Sequence, residues 1–207
     1  MTDTDELYNA CYSGDTEKVI TMLGRGEVDV NAISLGFSPL MLAVIMNHPH
    51  TVKALLSWPG TRLGVANDAG KTALHYACMN NRSAFIQILA KDPRCTPEVL
   101  NRKENFGATA LLCAVNLNNL EAVKELEKFE GVNFRTKNKW GETVVDVARL
   151  NGDTDMLGHL LQRSQRVESL SEIAAYNLAR HLHTAEDSQQ LELPNSLQTL
   201  VTKYLDR

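Results

Sequence analysis

The side chains with the means to do chemistry here are six histidines, four cysteines and a few closely spaced glycines. His48, His50, His75, His159, His181 and His183 include no pair four residues apart, the helical spacing at which two imidazoles share a metal ion. Cys11, Cys78, Cys95 and Cys113 are too far apart to form the short cysteine pairs of structural zinc sites. Gly24 with Gly26, and Gly60 with Gly64, flank turns and make no phosphate-binding loop. Cys11, Cys78 and Cys113 each stand beside an alanine, where a small buried hydrophobe is the expected role rather than a nucleophile. Neither a metal nor a cofactor is implied. An enzyme would have to scatter its site over side chains that share no pattern.

The elements that position these residues are bounded by composition. A chain of 207 residues holds one ordinary domain, or a repeat array with a small appended module. A net charge of −4 with 22% charged residues gives no nucleic-acid footprint, and 43% hydrophobic residues suffice for a sizeable core. The opening MTDTDELYNA carries acids and no apolar signal region, and no run approaches the roughly 18 apolar residues of a membrane helix. A disulfide framework is not expected at this size without a leader. These features lead to the expectation of a reduced, soluble protein of the cytoplasm, with the nucleus also open.

Internal periodicity organises the first three quarters of the chain. Ser38-Pro39-Leu40-Met41, Thr72-Ala73-Leu74-His75, Thr109-Ala110-Leu111-Leu112 and Thr143-Val144-Val145-Asp146 align. Gly36, Gly70, Gly107 and Gly141 stand two residues before them. Ala43, Ala77, Ala114 and Ala148 follow at one fixed offset, at spacings of 34, 37 and 34 residues, and Ala10 marks an earlier, degenerate copy. Four residues after each alanine comes Gly14, Asn47, Asn81, Asn118 or Gly152, the types that enter a left-handed conformation most cheaply and so end a short helix. Apolar pairs follow at i, i+3: Val19 and Met22, Val52 and Leu55, Ile86 and Leu89, Val123 and Leu126, Leu157 and Leu160. They mark the buried face of a second helix. The Ser or Thr opening each copy can cap the first helix, and Pro39 suits its first turn. Each unit reads as turn–helix–turn–helix, stable only when stacked.

The Gly-x-Thr-Pro-Leu-His core at a period near 33 resembles ankyrin repeats. The resemblance implies an all-α solenoid of five helix-turn-helix repeats with short β-like turns over residues 3–163, divided at about 3–33, 34–66, 67–103, 104–137 and 138–163. Only His75 keeps the histidine of that core; Tyr8, Met41, Leu112 and Asp146 replace it elsewhere. The Thr–His hydrogen bonds that tie neighbouring repeats in that family are therefore expected to be mostly lost. The longer spacing places three extra residues in 91–105, where Thr96-Pro97-Glu98 suggests an additional helical turn capped by Thr96. Asp29-Val30-Asn31 fits both an asparagine-hydroxylation context and ordinary turn consensus, with the turn favoured.

By the same resemblance, partners meet the concave side, at the finger tips and the exposed ends of the first helices. The residues just before the finger glycines are Leu35, Ala69, Phe106 and Trp140. Helix-end positions include Ile45, Met46, Met79 and Leu117, and the helix-end set carries no charge. Such a groove suits an apolar or extended peptide better than nucleic acid, and the target-binding set is Leu35, Ile45, Met46, Met79, Phe106, Leu117 and Trp140. Packing of some of these side chains against a neighbouring finger is the alternative.

Beyond Gln162 the period stops. Leu170, Ile173, Ala174, Leu178 and Leu182 line one helix face, and Pro194 opens a second helix bearing Leu197, Leu200, Val201, Tyr204 and Leu205. A hairpin of about 40 residues is too small to stand alone and needs another surface. Ser169-Leu170-x-x-x-Ala174-x-x-x-Leu178, followed by Leu191-Glu192-Leu193-Pro194, resembles the SOCS box. That resemblance implies a module at 167–207 in which Ser169, Leu170, Ala174 and Leu178 bind elongin B/C while Leu191, Leu193 and Pro194 face a cullin. Glu192 departs from the family's first proline, which bears on the choice of cullin. Two readings stay open: a non-enzymatic adaptor that brings a target to a ubiquitin ligase, or a free-standing scaffold or inhibitor whose last helices cap the solenoid. Neither involves a membrane or nucleic acid.

Overall fold

A computed structural model describes residues 3–163 together with Leu178. Among these residues the chain forms helices and no extended strand: α1 (Asp3–Ser13), α2 (Thr16–Arg25), α3 (Pro39–Ile45), α4 (Pro49–Ser57), α5 (Ala73–Met79), α6 (Ser83–Lys91), α7 (Pro97–Leu100), α8 (Ala110–Asn116), α9 (Leu120–Leu126), α10 (Val144–Asn151) and α11 (Thr154–Arg163). The architecture is that of an ankyrin-repeat solenoid. The chain divides into two compact units, 1–147 and 148–207. In the first unit, α1 packs on α2, α3 on α4, α5 on α6 and α8 on α9. The inner helices α1, α3, α5 and α8 stand side by side in that order.

Local chemistry sets the helix bounds. The Ser38 hydroxyl accepts the Met41 N–H at 3.3 Å, and Pro39 occupies the first turn of α3. Thr109 caps α8 in the same way, through the Leu112 N–H at 3.3 Å. At the other end, Gly14, Asn47, Asn81, Asn118 and Gly152 all have positive φ, from 51° to 77°. The terminators expected from sequence act as such in every copy. Gly14 is doubly required, because a Cβ there would sit 2.6 Å from the His48 ring. That ring spans a repeat junction, with Nε2 2.9 Å from the Tyr12 carbonyl oxygen.

Every second-helix pair read from the sequence is buried, from Val19 and Met22 to Leu157 and Leu160, as are the repeat alanines. Fully burying a Val, Leu or Ile side chain contributes roughly 1.5–3 kcal/mol, so these stripes carry much of each repeat's stability. Burial also explains the cysteines. It pushes the Cys11 thiol up to about 12 and Cys113 to about 11, and raises Cys78 well above the ordinary value. At neutral pH they are packed thiols.

The histidine position behaves differently in each copy. His75 Nδ1 accepts the Thr72 N–H at 3.2 Å and lies 2.9 Å from the Thr72 hydroxyl, so Nε2 carries the hydrogen and reaches the Ala108 carbonyl at 3.3 Å. This is the link between repeats that the sequence allows only here. Asp146 retains its local half: Oδ2 accepts the Thr143 N–H at 2.9 Å and hydroxyl at 2.7 Å. At α3 the Met41 sulfur lies 3.5 Å from the Ser38 N–H.

Other residues take over the tying of repeats. Asn31 donates to the Gly60 carbonyl at 2.9 Å and accepts the Arg62 N–H at 2.8 Å. Asn101 makes the same bracket to Gly131 and Asn133, at 2.6 and 2.8 Å. In the lengthened connection, Arg94 donates to the carbonyls of Leu56, Trp58 and Thr61 at 2.6, 3.1 and 3.2 Å, steadied by Asp92 at 2.6 Å. The extra helical turn expected after Thr96 is present as α7. Its cap is not the expected one. Thr96 makes no side-chain bond to the α7 backbone, and its hydroxyl instead holds the Glu98 carboxyl below the ordinary range.

Candidate functional site

Four finger-like turns precede α3, α5, α8 and α10, and the last three share one device. Asn67, Glu104 and Asn138 stand three residues before Gly70, Gly107 and Gly141. Asn67 Oδ1 accepts the Lys71 N–H at 3.0 Å. Glu104 Oε1 accepts from the N–H of Phe106 at 2.8 Å and of Ala108 at 3.1 Å. Asn138 Oδ1 does the same for Trp140 and Glu142, at 3.0 and 2.9 Å. A side-chain oxygen, amide at Asn67 and Asn138 and carboxylate at Glu104, thus folds each tip from inside, an Asx-turn-like arrangement. Sequence reasoning missed these three residues, although their fixed offset from the glycines was the signal.

The first finger has Ile33 at that offset, which offers no acceptor. It closes instead as a two-residue turn in which Ser34 and Phe37 exchange both backbone hydrogen bonds at 3.0 Å. Such a turn needs positive φ at both central residues. Leu35 is held at φ 50° beside Gly36 at φ 82°, with 79% of its surface exposed. A left-handed leucine costs about 1–2 kcal/mol. Here the strain holds a large apolar side chain out in water.

Successive tips are bonded in a row. The Asn105 N–H donates to the Ala69 carbonyl at 3.0 Å, and the Lys139 N–H to Phe106 at 2.9 Å. The approach is so close that a Cβ on Gly70 would meet Asn105 Oδ1 at 2.8 Å. This register brings Phe106 and Trp140 face to face, with ring centroids 5.9 Å apart and planes 10° from parallel. They remain 57% and 68% exposed. The rings therefore pack on each other, as the packing alternative expects, and still face solvent. Leu117, at the end of α8, is 48% exposed, while Ile45, Met46 and Met79 are half-buried. Leu35 stands apart on the first finger.

Among the described residues, no group of three His, Cys, Asp or Glu side chains could hold a metal ion. No described helix is long and apolar enough to cross a membrane. Leu178 is helical and half-buried. Ser169, Leu170, Ala174, Leu191, Leu193 and Pro194 lie outside the described residues.

Residues 7–101 match the family model for Ankyrin repeats (3 copies). Rabankyrin-5 of Mus musculus is 29% identical over 167 residues, which are 80% of this chain and 14% of that protein. Rabankyrin-5 of Homo sapiens is 28% identical over 161 residues, 75% of this chain and 13% of its own length. The B-cell lymphoma 3 protein homolog of Mus musculus is 29% identical over 175 residues, covering 84% of this chain and 38% of that protein. The chain thus spans only a minor part of each of these curated relatives.

Proposed function

We propose that the ankyrin repeats of this chain hold a protein target on the finger tips and inner-helix ends, and that residues 167–207 deliver that target to an elongin B/C cullin–RING ubiquitin ligase. Ankyrin repeats imply a protein-binding role. The observation that carries target holding is the exposure of Leu35, Phe106 and Trp140 at aligned tip positions, since large apolar side chains kept in water at a fixed register mark an interface. Met79 and Leu117 extend that surface along the helix ends without adding charge.

The delivery half rests on the Ser169-Leu170-x-x-x-Ala174-x-x-x-Leu178 pattern and the Leu191-Glu192-Leu193-Pro194 element after it. Leu170 is the proposed anchor in an elongin pocket. Leu191, Leu193 and Pro194 are the proposed cullin-facing residues, with Glu192 shifting the choice of cullin. Such an adaptor makes and breaks no bond itself; it works by proximity, in the cytoplasm or nucleus.

Co-expression with elongin B/C tests the delivery half. A stable ternary complex is expected, and Leu170→Asp should abolish it while the repeats keep their circular dichroism and melting behaviour. Absence of a complex with the wild-type chain would sink the ligase reading. Unfolding of the whole array by Leu170→Asp would favour the alternative, in which the last helices only cap a free-standing scaffold or inhibitor.

A further inference from the structure

The two fingers that carry Phe106 and Trp140 hold an excess of positive charge. Residues 101–108 and 133–142 hold five cations, Arg102, Lys103, Arg135, Lys137 and Lys139, and all five are exposed. The same segments hold two carboxylates, and both are turned to internal use. Glu104 is buried and accepts the Phe106 and Ala108 N–H groups. Glu142 accepts from Asn138 Nδ2 at 2.8 Å. On the preceding finger Asp68 and Lys71 offset each other. A chain of net charge −4 therefore presents a local excess of positive charge around a stacked, exposed aromatic pair.

We infer that this Phe106–Trp140 platform binds an acidic, extended peptide segment, with an apolar side chain on the rings and flanking Asp or Glu side chains against Arg102, Lys103, Arg135, Lys137 and Lys139. The proposal rests on the target-holding reading above and names the chemistry of the target. Exposed charges at the edge of an apolar contact steer the partner and set specificity more than affinity. The rings supply the desolvated anchor around which such an edge forms. A nucleic-acid strand also combines stacking with positive charge, but it needs a cationic track along its backbone. That track does not continue along the adjoining helix ends, where Met79, Asn80, Asn116 and Leu117 are uncharged.

The test is selection of binders from a displayed library of random 12-residue peptides on the full chain, in parallel with the Lys137→Glu/Lys139→Glu double variant. Both lysine side chains are exposed, so the variant should fold. Wild type should enrich peptides with Asp or Glu flanking one apolar residue. Their affinity should fall at least tenfold on the double variant, fall similarly on Trp140→Ala, and weaken as salt rises. Enriched peptides without acidic bias, indifferent to the lysine reversal but lost on Met79→Asp, would overturn this inference and leave the broader target-holding reading standing. No enrichment of any peptide would overturn both. A single-stranded oligonucleotide that binds more tightly than the selected peptides at physiological salt, through the same lysines, would replace the peptide with nucleic acid.

Discussion

His75 shows how much one side chain of the repeat core can do when it is retained once. Burial holds its imidazole neutral, lowering its pKa to about 4 from an ordinary 6.5, although the Ala108 carbonyl bond opposes the shift. The unfolded chain therefore binds a proton at this residue before the folded one does. Its contribution is fully present above pH 6.5, is lost as pH falls toward 4, and loses nothing further below that. Integrated over the window, the loss is on the order of 3 kcal/mol. Urea unfolding at pH 7 and pH 4.5 should show a smaller pH-dependent loss for His75→Gln than for wild type; equal losses would refute the assignment. Asp92 and Glu125, held below the ordinary carboxylate range mainly by Arg94 and Lys128, add their losses only at lower pH. Leu35 is the residue-scale counterpart at the surface. Its left-handed backbone is a local cost that closes the Ser34–Phe37 turn, and a leucine at that position adds strain a glycine would not.

At the scale of elements, the helices were legible because their signals are short-range and repeated. The Asn or Gly terminators, the opening Ser or Thr and the i, i+3 apolar pairs each act within one or two turns of the chain. The links between elements were less legible. Asn31, Asn101 and Arg94 reach across 29 to 38 residues to backbone carbonyls, and a backbone acceptor leaves no mark in a sequence. Thr96 shows the opposite error: a residue of capping type stood at the right place, but a nearby carboxyl took its hydroxyl. In the lengthened connection the Arg94 guanidinium binds the end of α4 and the turn after it through three carbonyls. Arg94→Ala removes the guanidinium from those carbonyls and from Asp92, which keeps only the backbone N–H of residue 94, and should destabilise the chain by about 2 kcal/mol. Arg94→Lys keeps the charge but not the planar fork, and should recover less than half of that loss. Denaturant midpoints of the two variants decide the matter; full rescue by lysine would mean that charge alone is at work.

On the scale of the whole molecule, a stack of repeats gains stability from each repeat and from each junction with a neighbour, and the junctions need not be equal. Within residues 3–147, the junction of α5–α6 with α8–α9 is the most heavily tied. His75 reaches Ala108, and Asn119 donates to the carbonyls of Cys78 and Met79, both at 2.9 Å. Asn81 accepts the Ala122 N–H at 3.2 Å, and Gln87 donates to Glu125 at 2.7 Å. The junction of α1–α2 with α3–α4 has fewer ties: His48 with Tyr12 and Thr16 with Thr51, both at 2.9 Å, and the Asn31 bracket to Gly60 and Arg62. The repeat period could not reveal this ranking, because the residues that make the ties lie at positions the period leaves free. A gradient of local stability follows, and native-state hydrogen exchange measures it. Buried amides of α5 and α8, at Ala77, Cys78, Ala114 and Val115, should exchange only through the largest opening. Those of α1, at Ala10 and Cys11, should exchange through a smaller one despite equal burial. Asn119→Ala should lower the protection of α5 and α8 toward that of α1 while leaving α1 unchanged. Uniform protection from α1 to α8 would mean that the stack opens as a single cooperative block, with the junctions energetically alike.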